Sequence, residues 1–235
     1  MIPIDTDIFA NFVASKHLDI MERMKNVDVE LKEFVEKEIL PLYDCFDEAH
    51  HRDHAYKVIR DSMVLAQNYE VDMNMVFAIA AYHDTGLRVD RATHHLVSGQ
   101  IIREDVRLKK WFDAAQVEMM AQAVEDHRAS ATRPPRSIYG CIVAEADRNI
   151  DIPTIIRRTI QYGFAHYPEM GDEEQIRRTH EHLVEKYGPD GYLKLWIPGS
   201  DNERKLHELW VMMEDGEKID AMVRAMYNEL KNGSK

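Results

Sequence analysis

Residues 72–86 read DMNMVFAIAAYHDTG. Met75, Val76, Ile79 and Ala80 fall on one stripe at helical spacing, which predicts a core helix over about 72–83. The apolar pattern stops at the adjacent pair His83-Asp84, and Gly86 follows as a helix stop. Further candidate ligands lie on both sides. His54 stands 29 residues before His83 in HRDHAYKV, and His95 stands 11 after Asp84 in ATHHLVSG. His127 follows in VEDHRAS and Asp147 in AEADRNI. The ordered series, more than any single histidine, points to a metal-dependent site.

The same helical pattern extends along nearly the whole chain. Residues 28–40 form an apolar-periodic segment that Pro41 ends or turns, and a second helix spans about 50–68. Thr93 is placed to cap a helix carrying His95, Ser98 and Ile102, and Asp113 to cap the next, which ends near His127. Pro134-Pro135 marks a loop, and a helix over about 137–149 holds Asp147. Helices are expected again over 153–164, 172–187 and 201–231. The only candidate strand is Tyr192–Ile197, and the closing KNGSK reads as disordered. The fold class is therefore all-α.

Composition narrows the function. The chain has 235 residues, 45% hydrophobic and 31% charged, an ordinary balance for a globular protein. No apolar run reaches the roughly 18 residues that cross a bilayer, and the start MIPIDTDIFANF lacks the features of a signal peptide. The expected location is the cytoplasm, with no membrane partner. Cys45 and Cys141 form no CxxC pair and read as buried free thiols. A net charge of −12 disfavours extended nucleic acid. The charge is uneven, however. Residues 128–158 carry Arg128, Arg133, Arg136, Arg148, Arg157 and Arg158 against Glu145, Asp147 and Asp151. This segment suits a solvated helix face or recognition of a small anion such as phosphate, which arginine binds in a fork.

Imidazole and carboxylate are ligands for Fe, Mn, Zn, Ni or Mg. Consecutive residues on a regular helix point about 100° apart, but at a frayed end His83 and Asp84 can reach one cluster. The two oxygens of Asp84 can bridge two metals. His54 and Asp147 can close a first site with His83, while His95 and His127 supply a second. Helical bundles build metal centres in this way, from facing helices.

The order His, His-Asp, His, His, Asp resembles the HD superfamily of metal-dependent phosphohydrolases. HRDHAYKV is similar to its first-histidine helix, AAYHDTGL to the defining pair, HHLVSG and EDHRAS to the third and fourth elements, and AEADRNID to the closing motif. The resemblance spans about residues 28–165. It implies a single helical HD-like core with additional C-terminal helices, and hydrolysis of a phosphate ester by metal-activated water. The expected organisation is an N-terminal extension over 1–27, the metal-binding core over 28–165, and a helical subdomain over 166–235 packed on it. Of His94 and His95, His95 is the preferred ligand because Gly99 falls four residues later, as in members with two metals. The cofactor expected is one or two divalent metal ions. No GYP motif follows HDTG, so the resemblance does not extend to the cyclic-dinucleotide subfamily.

In this reading Asp84 bridges metals or orients the attacking water, and Arg128 binds the phosphoryl group. Lys57, Arg133, Arg136 and Arg148 are further substrate-binding candidates. The partner is a small phosphorylated metabolite or nucleotide, and self-association is left open. His17, His166, His180, His182 and His207 read as structural. Glu125, Asp126 and Glu145 lie beside ligands, where a carboxylate can orient an imidazole. Two other functions share the ligand set: a di-iron oxygenase, and a nucleotide-binding sensor without turnover.

Overall fold

The computed structural model describes residues 26–46, 50–131 and 133–233. Among these the chain is helical, with no strand. The extension expected over 1–27 lies outside the described residues except for Asn26 and Val27. The chain divides into two compact units, one ending at Asp147 and one beginning at Arg148. This division precedes the 165/166 boundary read from the sequence, and the reason is packing. Ile155, Ile156 and Ile160 bury against Ile176, Leu183, Leu209 and Val223, so the helix that contains them belongs to the second unit.

The first unit opens with α1 (Val29–Phe34). The Asp28 carboxylate caps it by accepting from the Leu31 amide at 2.9 Å. The helix then widens to a π turn over Val35–Ile39 and tightens to a 3-10 segment over Leu40–Cys45, with Pro41 in its first turn. The main helices follow: α2 (Arg52–Ala66), α3 (Met73–Tyr82), α4 (His94–Glu104), α5 (Ala114–Glu125) and α6 (Ile138–Asp147). Every residue of α3 from Met75 to Tyr82 is buried. A helix that is apolar all round belongs at the centre of its unit, and α3 packs against α2, α5 and α6. Burying side chains such as Phe77 and Ile79 stabilises the unit by about 1.5–3 kcal/mol each.

Glycines let α4 and α5 close on this centre. A Cβ on Gly86 would lie 2.1 Å from the His94 carbonyl oxygen and 2.8 Å from the Ser98 amide nitrogen. The Gly86 amide donates to Ser98 Oγ at 2.8 Å, which fixes the start of α4 over the turn that follows α3. A Cβ on Gly99 would meet the Glu125 side chain and the Ala121 carbonyl, so α4 and α5 also approach backbone to backbone. Asp113 caps α5 through a reciprocal box with Gln116, as its sequence suggests. Thr93 stands at the N-cap of α4, as expected, but its side chain makes no bond to the helix. Its amide and hydroxyl both donate to the Asp90 carboxylate, at 2.9 and 2.8 Å.

The second unit comprises α7 (Ile152–His166), α8 (Asp172–Tyr187), α9 (Asp201–Glu214) and α10 (Gly216–Gly233). The single helix expected over 201–231 is two, separated at Asp215. Residues 192–197 are not a strand. No partner strand is present among the described residues, and the Tyr192 and Leu193 amides donate to the Glu185 and Lys186 carbonyls at the end of α8. The tail is ordered further than expected, since Lys231 ion-pairs with Asp172 at 2.6 Å. Cys45 is exposed and Cys141 half-buried, so the thiols are free, as expected, but neither is buried. No helix among the described residues is long and apolar enough to cross a membrane.

Substituting Gly86→Ala should force α4 off the α3 turn, because two of the three close contacts are backbone. Overpacking of this kind costs about 1–3 kcal/mol. A urea midpoint unchanged from wild type would contradict this account of the packing.

Candidate metal centre

Every candidate ligand sits at or beside a helix end. His54 is in the first turn of α2, His83 and Asp84 follow α3, His94 begins α4, His127 follows α5, and Asp147 ends α6. Helix ends matter because they leave backbone groups without intrahelical partners. The His83 Nδ1 lies 2.7 Å from the Ala80 carbonyl oxygen, and His127 Nδ1 lies 2.6 Å from that of Val124. The His94 Nδ1 lies 2.8 Å from the Arg91 carbonyl oxygen. A carbonyl only accepts, so each Nδ1 carries the hydrogen and each neutral ring keeps a lone pair on Nε2. Three rings are thus held in the tautomer that presents Nε2 as a ligand.

The Nε2 atoms converge in two groups that share Asp84. In the first, His83 Nε2 is 3.3 Å from Asp84 Oδ2 and 3.2 Å from His54 Nε2. His54 Nε2 is also 3.7 Å from Asp84 Oδ2 and 3.2 Å from Asp147 Oδ1. In the second, His94 Nε2 and His127 Nε2 are 3.2 Å apart and lie 3.3 and 3.5 Å from Asp84 Oδ1. One oxygen of Asp84 therefore serves each group, and both groups suit a metal ion.

The donor chemistry fits such an ion. Metal–ligand bonds of about 2.0–2.2 Å at right or tetrahedral angles put neighbouring donors about 3.0–3.5 Å apart, close to the separations seen here. Neutral His94 and His127 would also point two lone pairs at each other across 3.2 Å, a contact that a shared cation relieves.

Charge tells the same story. Burial pushes the Asp84 carboxylate up, but His83 and His127 overcome it and hold it well below the usual range. Burial likewise raises Asp147, and the bond from His54 with the charge of His83 brings it below its ordinary value. Burial would lower His83, but the Asp84 charge and hydrogen bond, helped by Asp147, raise it to about 9. The His94 imidazole is lowered by burial and by His127. The Asp84 and Asp147 carboxylates thus favour positive charge where the imidazoles converge.

The expectation of His95 as ligand is corrected. His94 reaches the cluster, while the His95 Nδ1 is buried without a hydrogen-bond partner. Burial, then His127, holds the His95 pKa at about 4. The physical reason is helix phase. His94, Ser98 and Ile102 are spaced by four, and Ser98 and Ile102 are fully buried toward the core. His95 instead shares its face with Gly99. The stripe 94/98/102 was the sequence signal for the histidine that reaches Asp84.

The basic candidates divide. Arg128 follows His127 directly, is half-buried, and donates from Nη1 to the Ala92 carbonyl near the start of α4. Arg136, expected to bind substrate, is engaged within the protein. Its guanidinium is engaged by buried Asp126, by Glu125 at 2.7 Å and by the Gln122 carbonyl at 3.0 Å, which pins the loop after His127. Arg133 is exposed, 3.7 Å from Asp126. The Lys57 ammonium pairs with Asp61 at 2.9 Å and lies 3.5 Å from the Ala146 carbonyl oxygen, next to Asp147. Arg148 is buried at the start of the second unit.

Two outcomes follow. His94→Ala should lower metal stoichiometry by one ion, and His95→Ala should leave it unchanged. Elemental analysis after reconstitution reads both, and the reverse pattern would restore His95. Binding must also displace the His83 proton below pH 9. Apparent affinity should therefore rise by about tenfold per pH unit up to that point and then level off. Calorimetry in buffers of different ionisation enthalpy would detect the released proton, and its absence would contradict the assignment.

The HD domain family model matches residues 52–149. No curated protein and no solved structure gives a match. The HD domain is an all-α fold associated with metal-dependent hydrolases, in agreement with the helical structure and its two His/Asp groups. The matched stretch contains all six converging residues, so the candidate centre lies within the part of the chain that is similar to the HD domain family.

Proposed function

We propose that this protein is a metal-dependent phosphohydrolase acting on a phosphate ester of a small metabolite or nucleotide. The observation that supports this reading most is the division of the Asp84 carboxylate between two histidine groups, one oxygen to each. Divalent ions bound there would polarise a phosphoryl oxygen and make water nucleophilic near neutral pH. His54, His83 and Asp147 would hold one ion, His94 and His127 the other, and Asp84 both.

The protein's own groups do the rest. The three Nδ1 bonds to backbone carbonyls fix the imidazoles before any ligand arrives, so little reorganisation is needed. Arg128 is the arginine best suited to the phosphoryl group. It adjoins His127 and carries no carboxylate ion pair among the described residues. The remaining guanidinium N–H groups can receive phosphate oxygens in a fork. Arg133 is a weaker second candidate because it is exposed. Lys57, beside Asp147, would contribute charge more than contact. A net charge of −12 makes such local cations necessary for an anionic substrate to approach.

The test is a screen of phosphate monoesters, diesters and nucleotides with Mn, Fe, Ni and Mg, reading phosphate or alcohol release. Release is expected with at least one metal. It should be lost in His83→Ala and Asp84→Ala while helix content by circular dichroism stays nearly unchanged. Arg128→Ala should raise KM by about tenfold, the worth of one charge-assisted hydrogen bond, with metal content retained. Binding of nucleotide without turnover would instead support a sensor. Two irons with a visible absorption band and oxygen consumption would support an oxygenase.

A further inference from the structure

His83 and Asp84 are consecutive, yet His83 Nε2 and Asp84 Oδ2 come within 3.3 Å. The backbone leaves the helix between them. His83 keeps helical angles, φ −51° and ψ −39°, whereas Asp84 has φ −110° and ψ 7°. Ending a helix inside a core frees carbonyls that must find donors. Side chains supply them here. The His83 Nδ1 serves Ala80, and the Thr85 hydroxyl donates to the Tyr82 carbonyl at 2.8 Å.

The carbonyl between these, that of Ala81, is served from a different part of the chain. The Tyr43 hydroxyl, from the 3-10 segment Leu40–Cys45, donates to it at 2.9 Å. The same hydroxyl accepts from the Asp84 amide at 3.2 Å. Tyr43 is fully buried, and its ring lies 6.1 Å from that of His83. The hydroxyl thus stands between a helix carbonyl and the Asp84 N–H, as an inserted water does in an opened helix.

We infer that Tyr43 is a positioning residue whose hydroxyl holds the Asp84 peptide out of the helix and thereby aims its two oxygens at the two histidine groups. The inference rests on the metal-centre reading above. Deleting the hydroxyl leaves a buried carbonyl and a buried amide without a partner. The simplest repair returns the Asp84 N–H to a helical carbonyl and turns the carboxylate away from the cluster. Phenylalanine at 43 keeps the ring and its packing.

The full chain, Tyr43→Phe and Tyr82→Phe would be loaded with Mn(II) and compared by calorimetry, paramagnetic resonance and thermal melting. Tyr82→Phe is the matched control. It deletes the same atom from a buried tyrosine, but one on α3 that donates to Asp105 at 2.6 Å. Both variants should melt lower than wild type. Only Tyr43→Phe should bind Mn(II) more weakly, by about tenfold or more. It should also exchange the coupled-pair spectrum of wild type for that of isolated ions. Unchanged affinity and spectrum in Tyr43→Phe would overturn the inference while the coupled wild-type pair still supported the metal centre. Equal losses in both variants would overturn it too, as general destabilisation. So would a Tyr43→Phe chain that fails to fold when Tyr82→Phe folds, because the hydroxyl would then serve the fold. Wild type that takes up no Mn(II) would defeat the metal reading and this inference together.

Discussion

A carboxylate removed from water must be surrounded by donors or cations, and Asp84 is only 3% exposed. Much of the first unit can be understood as the means of meeting that requirement. Four imidazoles close on one carboxylate, from α2, the end of α3, the start of α4 and the end of α5. None of these elements can shift by much without exposing a buried charge to an apolar neighbour. The glycines that allow α4 to rest on the α3 turn and on α5 are part of the same constraint, since a side chain at either would separate the groups.

Helix ends are what make the arrangement economical. A helix terminus carries unpaired carbonyls that need donors, and a histidine ring needs one nitrogen tied down to present the other. Pairing the two solves both problems at Ala80–His83 and Val124–His127. The ligands are therefore rigid for backbone reasons, and their orientation does not depend on long side-chain networks. The acidic residues outside the cluster have a different role. Asp126 and Glu125 take up Arg136, and Glu125 also takes up Arg103, so this charge cluster stitches α4, α5 and the following loop together. An arginine-rich segment of sequence is thus partly a structural device, and Arg128 is the member of it that adjoins His127.

The second unit has its own core of isoleucine, leucine and tyrosine side chains, built on α7 to α10. Its ionic contacts, such as Arg224 with Glu173 and Asp220, lie at the surface. Exposed pairs of this kind contribute little individually, so apolar burial is what holds these helices. Among its described residues, nothing resembles the convergence of rings seen around Asp84. His180, one of the histidines read as structural, pairs with Asp220 at 3.1 Å.

The sequence alone determined the helical class, the position of the core helix before His83-Asp84, and most of the residues that converge on Asp84. It could do so because a 3.6-residue apolar period and an ordered set of metal-ligand residues are local, one-dimensional signals. Tertiary structure decided what depends on phase and proximity. His94 reaches the cluster in place of His95 because one residue of helix rotates a side chain by about 100°, which puts His94 on the face of Ser98 and Ile102 and His95 on the face where Gly99 meets α5. Arg136 was diverted to Asp126 and Glu125 because those carboxylates lie within reach across a loop. Residues 192–197 were denied a strand because no partner strand stands beside them among the described residues. Tyr43 carried no motif at all. Its hydroxyl matters through contact with Ala81 and Asp84, 38 and 41 residues away, and separations of that size become contacts only when the chain folds.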